Sequence, residues 1–315
     1  MTAGSGGNDD LILPFRTDAH ALRGRLVRLG PAVDAILSRH LYPEPVAALL
    51  GEALALSALL AATLKYDGVF TLQTKGDGPV SLLVADVTTH GALRGYAQVD
   101  RDRLKAALAR PGPEPAHDPV PRLLGAGYLA FTVDQGPATE RYQGIVELNG
   151  ATLGDCIHHY FRQSEQLQAA INLAVGRVQA DGAARWRAGA LMIQRLPEER
   201  GADSDADEEG WRDAAAMVAS CTRAELLDPA LPPDRLLYRL FHRDGVRAYR
   251  ARHLADSCRC SRQRVERMLR SLPAAELEEL KVDGRLVVTC EFCNRGYGFA
   301  DGEIARLHAP TSGAA

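Results

Sequence analysis

The chain has 315 residues, 46% of them hydrophobic and 24% charged, with a formal net charge of −3. That length suggests about two domains, and the balance excludes a disordered chain or a fibrous repeat. So small a net charge excludes a uniformly basic nucleic-acid binder and leaves only a local basic patch open.

In chain order, residues 1–10 are small and polar, lack the features of a targeting segment, and read as a flexible tail. Residues 17–29 alternate weakly, as strand or turn. Residues 31–39 have helical spacing. Pro43 and Pro45 open a long Ala/Leu helix over residues 45–64, whose one acid is Glu52. Its length suits a membrane span, but its alanine content and the lack of a flanking basic or aromatic girdle predict a buried core helix. A soluble protein of the reducing cytoplasm is the expectation that follows.

Residues 69–75, 80–87 and 93–99 alternate with period two around turns at Gly76-Asp77-Gly78-Pro79 and His90-Gly91, which predicts an antiparallel meander. Residues 102–109 read as a helix, 111–121 as a proline-rich surface loop, and 128–133 with 142–148 as a strand pair. Thr152 and Asp155 mark a helix start, with the helix running to about Leu167. Residues 171–178 and 188–195 complete the strands. Elements grouped in runs favour α+β over a doubly wound sheet. The acidic run Asp203, Asp205, Asp207, Glu208 and Glu209 reads as a solvated hinge. Residues 211–220 and 233–241 then form short helices that need something to dock on.

Cys156 and Cys221 stand alone and read as small buried hydrophobes. Cys258-Arg-Cys260 and Cys290-Glu-Phe-Cys293 are separated by 29 residues. Two close thiol pairs joined by a loop of this size suit one tetrahedral zinc. Asn294, just past Cys293, tolerates the positive φ that a metal knuckle needs. Four thiolates around one dication leave a charge of about −2. Arg259, Arg262, Arg264 and Arg295 lie close in sequence. They read as counter-charges, as a solvated face of a helix over residues 261–272, or as a nucleic-acid patch opposed by Glu276, Glu278, Glu279 and Asp283. A closed four-ligand shell argues against zinc hydrolysis, and no HExxH is present. A structural role and a redox role both remain, because neighbouring thiols can be oxidised to a disulfide.

Other signals are weaker. Gly125-Ala126-Gly127-Tyr128-Leu129-Ala130 matches a dinucleotide fingerprint but opens a strand-like run. No phosphate-binding loop motif appears. Adjacent His158 and His159 point to different sides of a helix.

The cysteine spacing resembles that of the bacterial redox-regulated 33-kDa heat-shock chaperonin family. So do YPEPVAALLGEALALSALLAATLKYDG (residues 42–68), LQTKGDGPVSLLVADVT (72–88), ERYQGIVEL (140–148), YFRQSEQL (160–167) and LLYRLFH (236–242). The resemblance covers nearly the whole chain. It implies an α+β protein in three parts: an N-terminal α/β body with antiparallel sheets and helices (1–200), a metastable helical linker (201–255) and a small four-cysteine zinc domain (256–300), with a tail at 301–315. It implies a non-enzymatic, ATP-independent holdase that binds unfolding client proteins, is switched on by oxidation and unfolding, and forms a homodimer on activation. No specific nucleic acid and no membrane are expected as partners. One zinc per reduced chain would be held by Cys258, Cys260, Cys290 and Cys293. The implied oxidised pairs are Cys258–Cys260 and Cys290–Cys293. Cys156 and Cys221 fall outside the motif.

Overall fold

The period-two segments pair as their turns require. In the computed structural model, which describes residues 7–19, 22–110, 118–136, 139–162, 168–180, 182–195 and 205–308, the chain divides into two units, Met1–Asp256 and Ser257–Ala315. The extreme termini, Pro111, Pro113, Pro115, the end of the YFRQSEQL motif and Asp203 lie outside the described residues.

In the first unit β1 (Leu11–Thr17) and β2 (Arg23–Leu29) precede α1 (Pro31–Ser38) and α2 (Glu44–Ala61). β1 is not among the expected strands; it carries Pro14, which keeps register with Arg25. The predicted meander is β3 (Val69–Gly76), β4 (Val80–Thr88) and β5 (Ala92–Val99). Then come α3 (Arg101–Ala109), capped by Asp100, and the antiparallel pair β6 (Gly127–Asp134) and β7 (Tyr142–Glu147). Thr152 and Asp155 form the capping box of α4 (Leu153–Tyr160). β8 (Ala169–Ala180) and β9 (Ala183–Gln194) make a hairpin longer than expected, since alanine ends carry little strand signal. The linker region holds α5 (Asp205–Ser220), α6 (Arg223–Leu227) and α7 (Pro233–Phe241), followed by β10 (Val246–Ala248), β11 (Arg252–His253) and β12 (Ala255–Asp256).

These strands form two six-stranded sheets. One has the order β10-β1-β2-β9-β8, with β11 also on β1; the other runs β12-β5-β4-β3-β6-β7. Helix α2 lies against strands of both. Fourteen of its 18 residues are buried, so a helix long and apolar enough to cross a membrane is here the core helix of the unit.

Alternation along the first sheet produces two apolar faces. Ile12, Val27, Leu29, Ala190 and Met192 join the core around α2. Their neighbours Leu11, Leu13, Phe15, Leu26, Leu191 and Ile193 join a second core with Ala214, Val218, Leu226, Leu236, Leu240 and Phe241 of α5–α7. Phe15 and Phe241 meet with ring centroids 5.4 Å apart. Burying each such side chain contributes about 1.5–3 kcal/mol, so the short helices draw their stability from this face.

Two expectations are corrected here. From Asp205 onward the acidic run is not a hinge but the start of α5; acids suit the positive end of the helix dipole. Nor is the segment before Leu11 wholly a tail. Asp10 accepts the Gly30 and Ala32 N–H groups at the start of α1 (2.9 and 3.0 Å). Asp9 pairs with Arg187, and Asn8 Nδ2 donates to Pro229 O at 3.4 Å.

Buried polar side chains of the body also grip the linker backbone. Arg28 donates to the carbonyls of Asp228 and Leu231, the latter at 3.2 Å. Arg187 Nε donates to Leu227 O at 2.6 Å while its other nitrogens hold Asp9. Asn172 donates to the Val218 and Cys221 carbonyls at the end of α5 (2.9 and 2.7 Å). Cations and donors there complement the helix C-termini.

Within α2, Glu52 borders a cavity of about 880 Å³ with Asp155, His158, Trp186 and Arg223. Gly154 N donates to it at 3.3 Å. Removal from water pushes its carboxyl up to about 7, against the lowering effect of the Gly154 and Leu153 N–H groups. The unfolded chain loses this proton near pH 4.5, whereas the folded chain keeps it to about pH 7. Stability from this group is therefore full below that window and falls as pH rises through it. Glu52→Gln should lack this slope. Its melting temperature should gain on the parent's as pH increases across the window; parallel profiles would show that Glu52 does not titrate there.

Candidate metal centre

The second unit is small. It contains α8 (Arg262–Arg270), α9 (Ala274–Glu279), β13 (Arg285–Thr289), β14 (Gly296–Ala300) and α10 (Asp301–His308). Its core is Leu269, Leu277, Leu286, Tyr297, Phe299 and Ile304. The expected tail after residue 300 thus begins as a helix, anchored by Ile304. A core of this size supports a fold poorly without a staple.

The cysteines supply the material for one. Cys258 and Cys260 precede α8, whose N-cap Ser261 accepts the Arg264 N–H at 3.3 Å. Cys290 and Cys293 lie in the turn between β13 and β14. There Cys290 N donates to Arg295 O (3.0 Å) and Asn294 N to Cys290 O (2.8 Å). Asn294 takes φ +56°, the left-handed value expected of a metal knuckle. All four sulfurs lie within 4.8 Å of one another. Across the two pairs, Cys258 Sγ lies 3.7 Å from Cys290 Sγ and Cys260 Sγ 3.3 Å from Cys293 Sγ.

Tyr297, which sequence reasoning missed, donates its hydroxyl to Cys260 Sγ at 3.1 Å. Its only sequence signal is a tyrosine in the strand that follows the knuckle. Burial raises the Cys260 thiol, but the bonds from Tyr297 and the neighbouring thiols outweigh it and bring it down to about 7. Burial pushes Cys293 up to about 12 and also raises Cys290. Tyr297 thus favours a thiolate at Cys260, and four such donors around one point can hold a metal ion.

The arginines divide. Arg262 is not a counter-charge to the thiolates: it pairs with Glu303 (2.7 Å) and Glu266 (3.2 Å) and lies over the Phe299 ring. Arg295 does sense the cluster, through Tyr297 first and then Cys260 and Cys293. Arg264, Arg267 and Arg270 are exposed on α8. Elsewhere, Cys156 and Cys221 are buried, and burial raises both thiols to about 11, outside the reactive range. His159 Nδ1 lies 2.9 Å from Asn149 O. Gly127 begins strand β6 rather than a helix, so the dinucleotide motif lacks its required context.

These features coincide with those of known proteins. The model of the Hsp33 protein family matches residues 10–300. The 33 kDa chaperonin of Caulobacter vibrioides is 42% identical over 295 residues, 92% of this chain and 94% of that protein. That of Azotobacter vinelandii is 39% identical, covering 95% of each. The crystal structure of the 33 kDa chaperonin (heat shock protein 33 homolog) from Thermotoga maritima superposes with a TM-score of 0.75 at 23% identity, over 95% of this chain and 98% of that one. The chain belongs to the Hsp33 family, and that membership supports a chaperone function.

Asn294→Ala swaps a residue that tolerates the left-handed position for one that does not. At roughly 1–2 kcal/mol, it should speed loss of metal to a chelator about fivefold to thirtyfold, while Asn294→Gly should not. Equal loss from both variants would assign the effect to the Asn side chain instead of the backbone.

Proposed function

We propose that this protein is a redox-switched, ATP-independent holdase. Residues 1–200 form its body, 201–255 a releasable linker, and the unit from residue 257 onward its switch. The observation that carries the reading is the convergence of four thiols on one point in a unit with too small a core of its own. A tetrahedral ion with metal–sulfur bonds of about 2.3 Å has sulfurs about 3.8 Å apart. The Cys258–Cys290 separation of 3.7 Å suits that shell. We assign one zinc per reduced chain to Cys258, Cys260, Cys290 and Cys293. When bound, it supplies roughly 10–16 kcal/mol of folding free energy, comparable to the stability of a whole domain.

Oxidation by peroxide removes the donors. Each thiolate pair gives two electrons to one peroxide and forms one S–S bond, the peroxide taking two protons from solvent to leave as two waters, and a zinc ion held there would lose its donors and be released. We assign the pairs as Cys258–Cys260 and Cys290–Cys293. Each closes a loop of only a few residues and so restrains little chain. The second unit then unfolds, and the chain leading into it loses its anchor at Cys258. With α5–α7 detached, the outer face of the first sheet and the apolar stripe of α7 become an exposed patch that holds unfolding proteins in the cytoplasm. Dimerisation of the active form would follow from the same patch.

Light scattering from a thermally unfolding client should fall only with peroxide-treated protein, not with the reduced zinc-loaded form. Zinc retained after complete oxidation of the four thiols would sink the mechanism. Activity that is equal in both forms would leave a constitutive zinc protein. Salt-sensitive nucleic-acid binding through Arg259, Arg262, Arg264, Arg267 and Arg270 would favour a zinc-ribbon regulator.

The grip on the linker can be tested separately. Asn172→Ala removes the donor to the Val218 and Cys221 carbonyls and should weaken docking by about 1–3 kcal/mol. Amide exchange should then rise in residues 205–241 of the reduced protein, with the α2 core unchanged. Unchanged exchange in the linker would show that its apolar stripe alone holds it.

A further inference from the structure

A single short stretch of chain covers an edge of each sheet. After α7, residues 245–256 run as a strap. β10 and β11 pair antiparallel with β1, and β12 pairs parallel with β5. Its ladders are brief: β12 meets only Ala92 and Leu93 of an eight-residue strand. Main-chain bonds from Tyr249 N to Pro14 O (2.8 Å), Leu254 N to Asp10 O (2.7 Å) and Ala255 N to Gly91 O (2.9 Å) fasten it. Arg39, just after α1, forms an ion pair with Asp256. The strap ends two residues before Cys258.

Beyond β12 the edge of β5 continues. Ala97 N–H points off the sheet and donates to the Tyr42 hydroxyl at 3.0 Å. Antiparallel alternation puts Leu93 and Gly95 on the same edge, while Arg94 and Tyr96 bond toward β4. The His40 ring meets Tyr96 edge-on at 5.7 Å. Between His40 and Tyr42 stands Leu41, at φ +50° and 82% exposed. The edge is thus closed by two residues of strap and one side-chain hydroxyl, with an apolar side chain beside it.

We propose that the β5 edge, once the strap lets go, takes an extended client segment by strand addition, in the lane that β12 occupies in the resting molecule. This rests on the holdase reading and names its docking surface. β12 itself defines the occupant: an extended main chain, recognised through N–H and C=O groups that every polypeptide carries. Leu41 and Tyr96 flank the lane for apolar side chains. Backbone recognition tolerates any client sequence, and an unfolding protein is the partner that offers free backbone. The strap is suited to release, because it is short and joins directly to the first cysteine of the switch.

Residue-resolved amide exchange on the full-length chain tests this in three states: reduced, oxidised, and oxidised with reduced carboxymethylated α-lactalbumin as a permanently unfolded probe. Leu93, which β12 covers, should lose protection on oxidation, while Ala97 keeps its bond to Tyr42. With the probe bound, Leu93 should regain and Gly95 should gain about fivefold each, the worth of one ladder hydrogen bond. Arg94 and Tyr96 should stay protected throughout. Ala255→Pro removes the bond to Gly91 and should let the reduced protein gain the same alternating protection from the probe. Suppressed aggregation with Leu93 and Gly95 still unprotected would overturn the docking surface and leave the holdase reading standing. Aggregation not suppressed at all would overturn both.

Discussion

The first sheet has two apolar faces, and the body's own core helix can cover only one. Everything else in the molecule follows from how the second face is covered. Ile12, Val27 and Met192 are satisfied by α2. Leu13, Phe15, Leu191 and Ile193 must be satisfied by something that comes later in the chain. That something is three helices of 16, 5 and 9 residues, which would be marginal alone in water. The sheet and the helices each need the other. Because one partner is a contiguous, largely helical stretch that leads into the small cysteine unit, the contact is separable in a way that a woven core is not.

The cysteine unit has the opposite problem. Six buried hydrophobic residues give it shape but little cohesion. The sulfur cluster is therefore its main source of order. The electrostatics of that cluster are uneven: Tyr297 favours a thiolate at Cys260, while Cys293 and Cys290 hold their protons more tightly. A dication held by the four sulfurs would replace their protons at once, and the loaded and empty forms would then differ widely in stability.

Much of this was legible in the residues. The meander followed from alternation and its glycine turns, the start of α4 from Thr152 and Asp155, and the positive φ of Asn294 from its place after Cys293. The need of α7 for a docking partner was visible in its stripe of Leu236, Leu237, Leu240 and Phe241. What covers what was not. Arg28 and Arg187 look like ordinary surface charges in sequence, yet both are buried. β11 and β12 are two residues each, too short for any periodicity to register. Asp9 and Asp10 lie in a polar leader, and only the folded chain reveals the helix start and the guanidinium that they serve. Pairings over long sequence separations leave no local trace.

The bonds from Arg28, Arg187 and Asn172 to the linker all end on carbonyl oxygens. A carbonyl is the same whatever side chain accompanies it. The loop between α6 and α7 can therefore drift in sequence without losing its moorings, provided the helices on either side keep their apolar stripes. The residues that set how firmly the linker is moored sit elsewhere, on β2, β8, β9 and the segment before β1. How firmly residues 205–241 are held would then be tuned by substitutions far from the cysteines, in strands that otherwise look like plain scaffold.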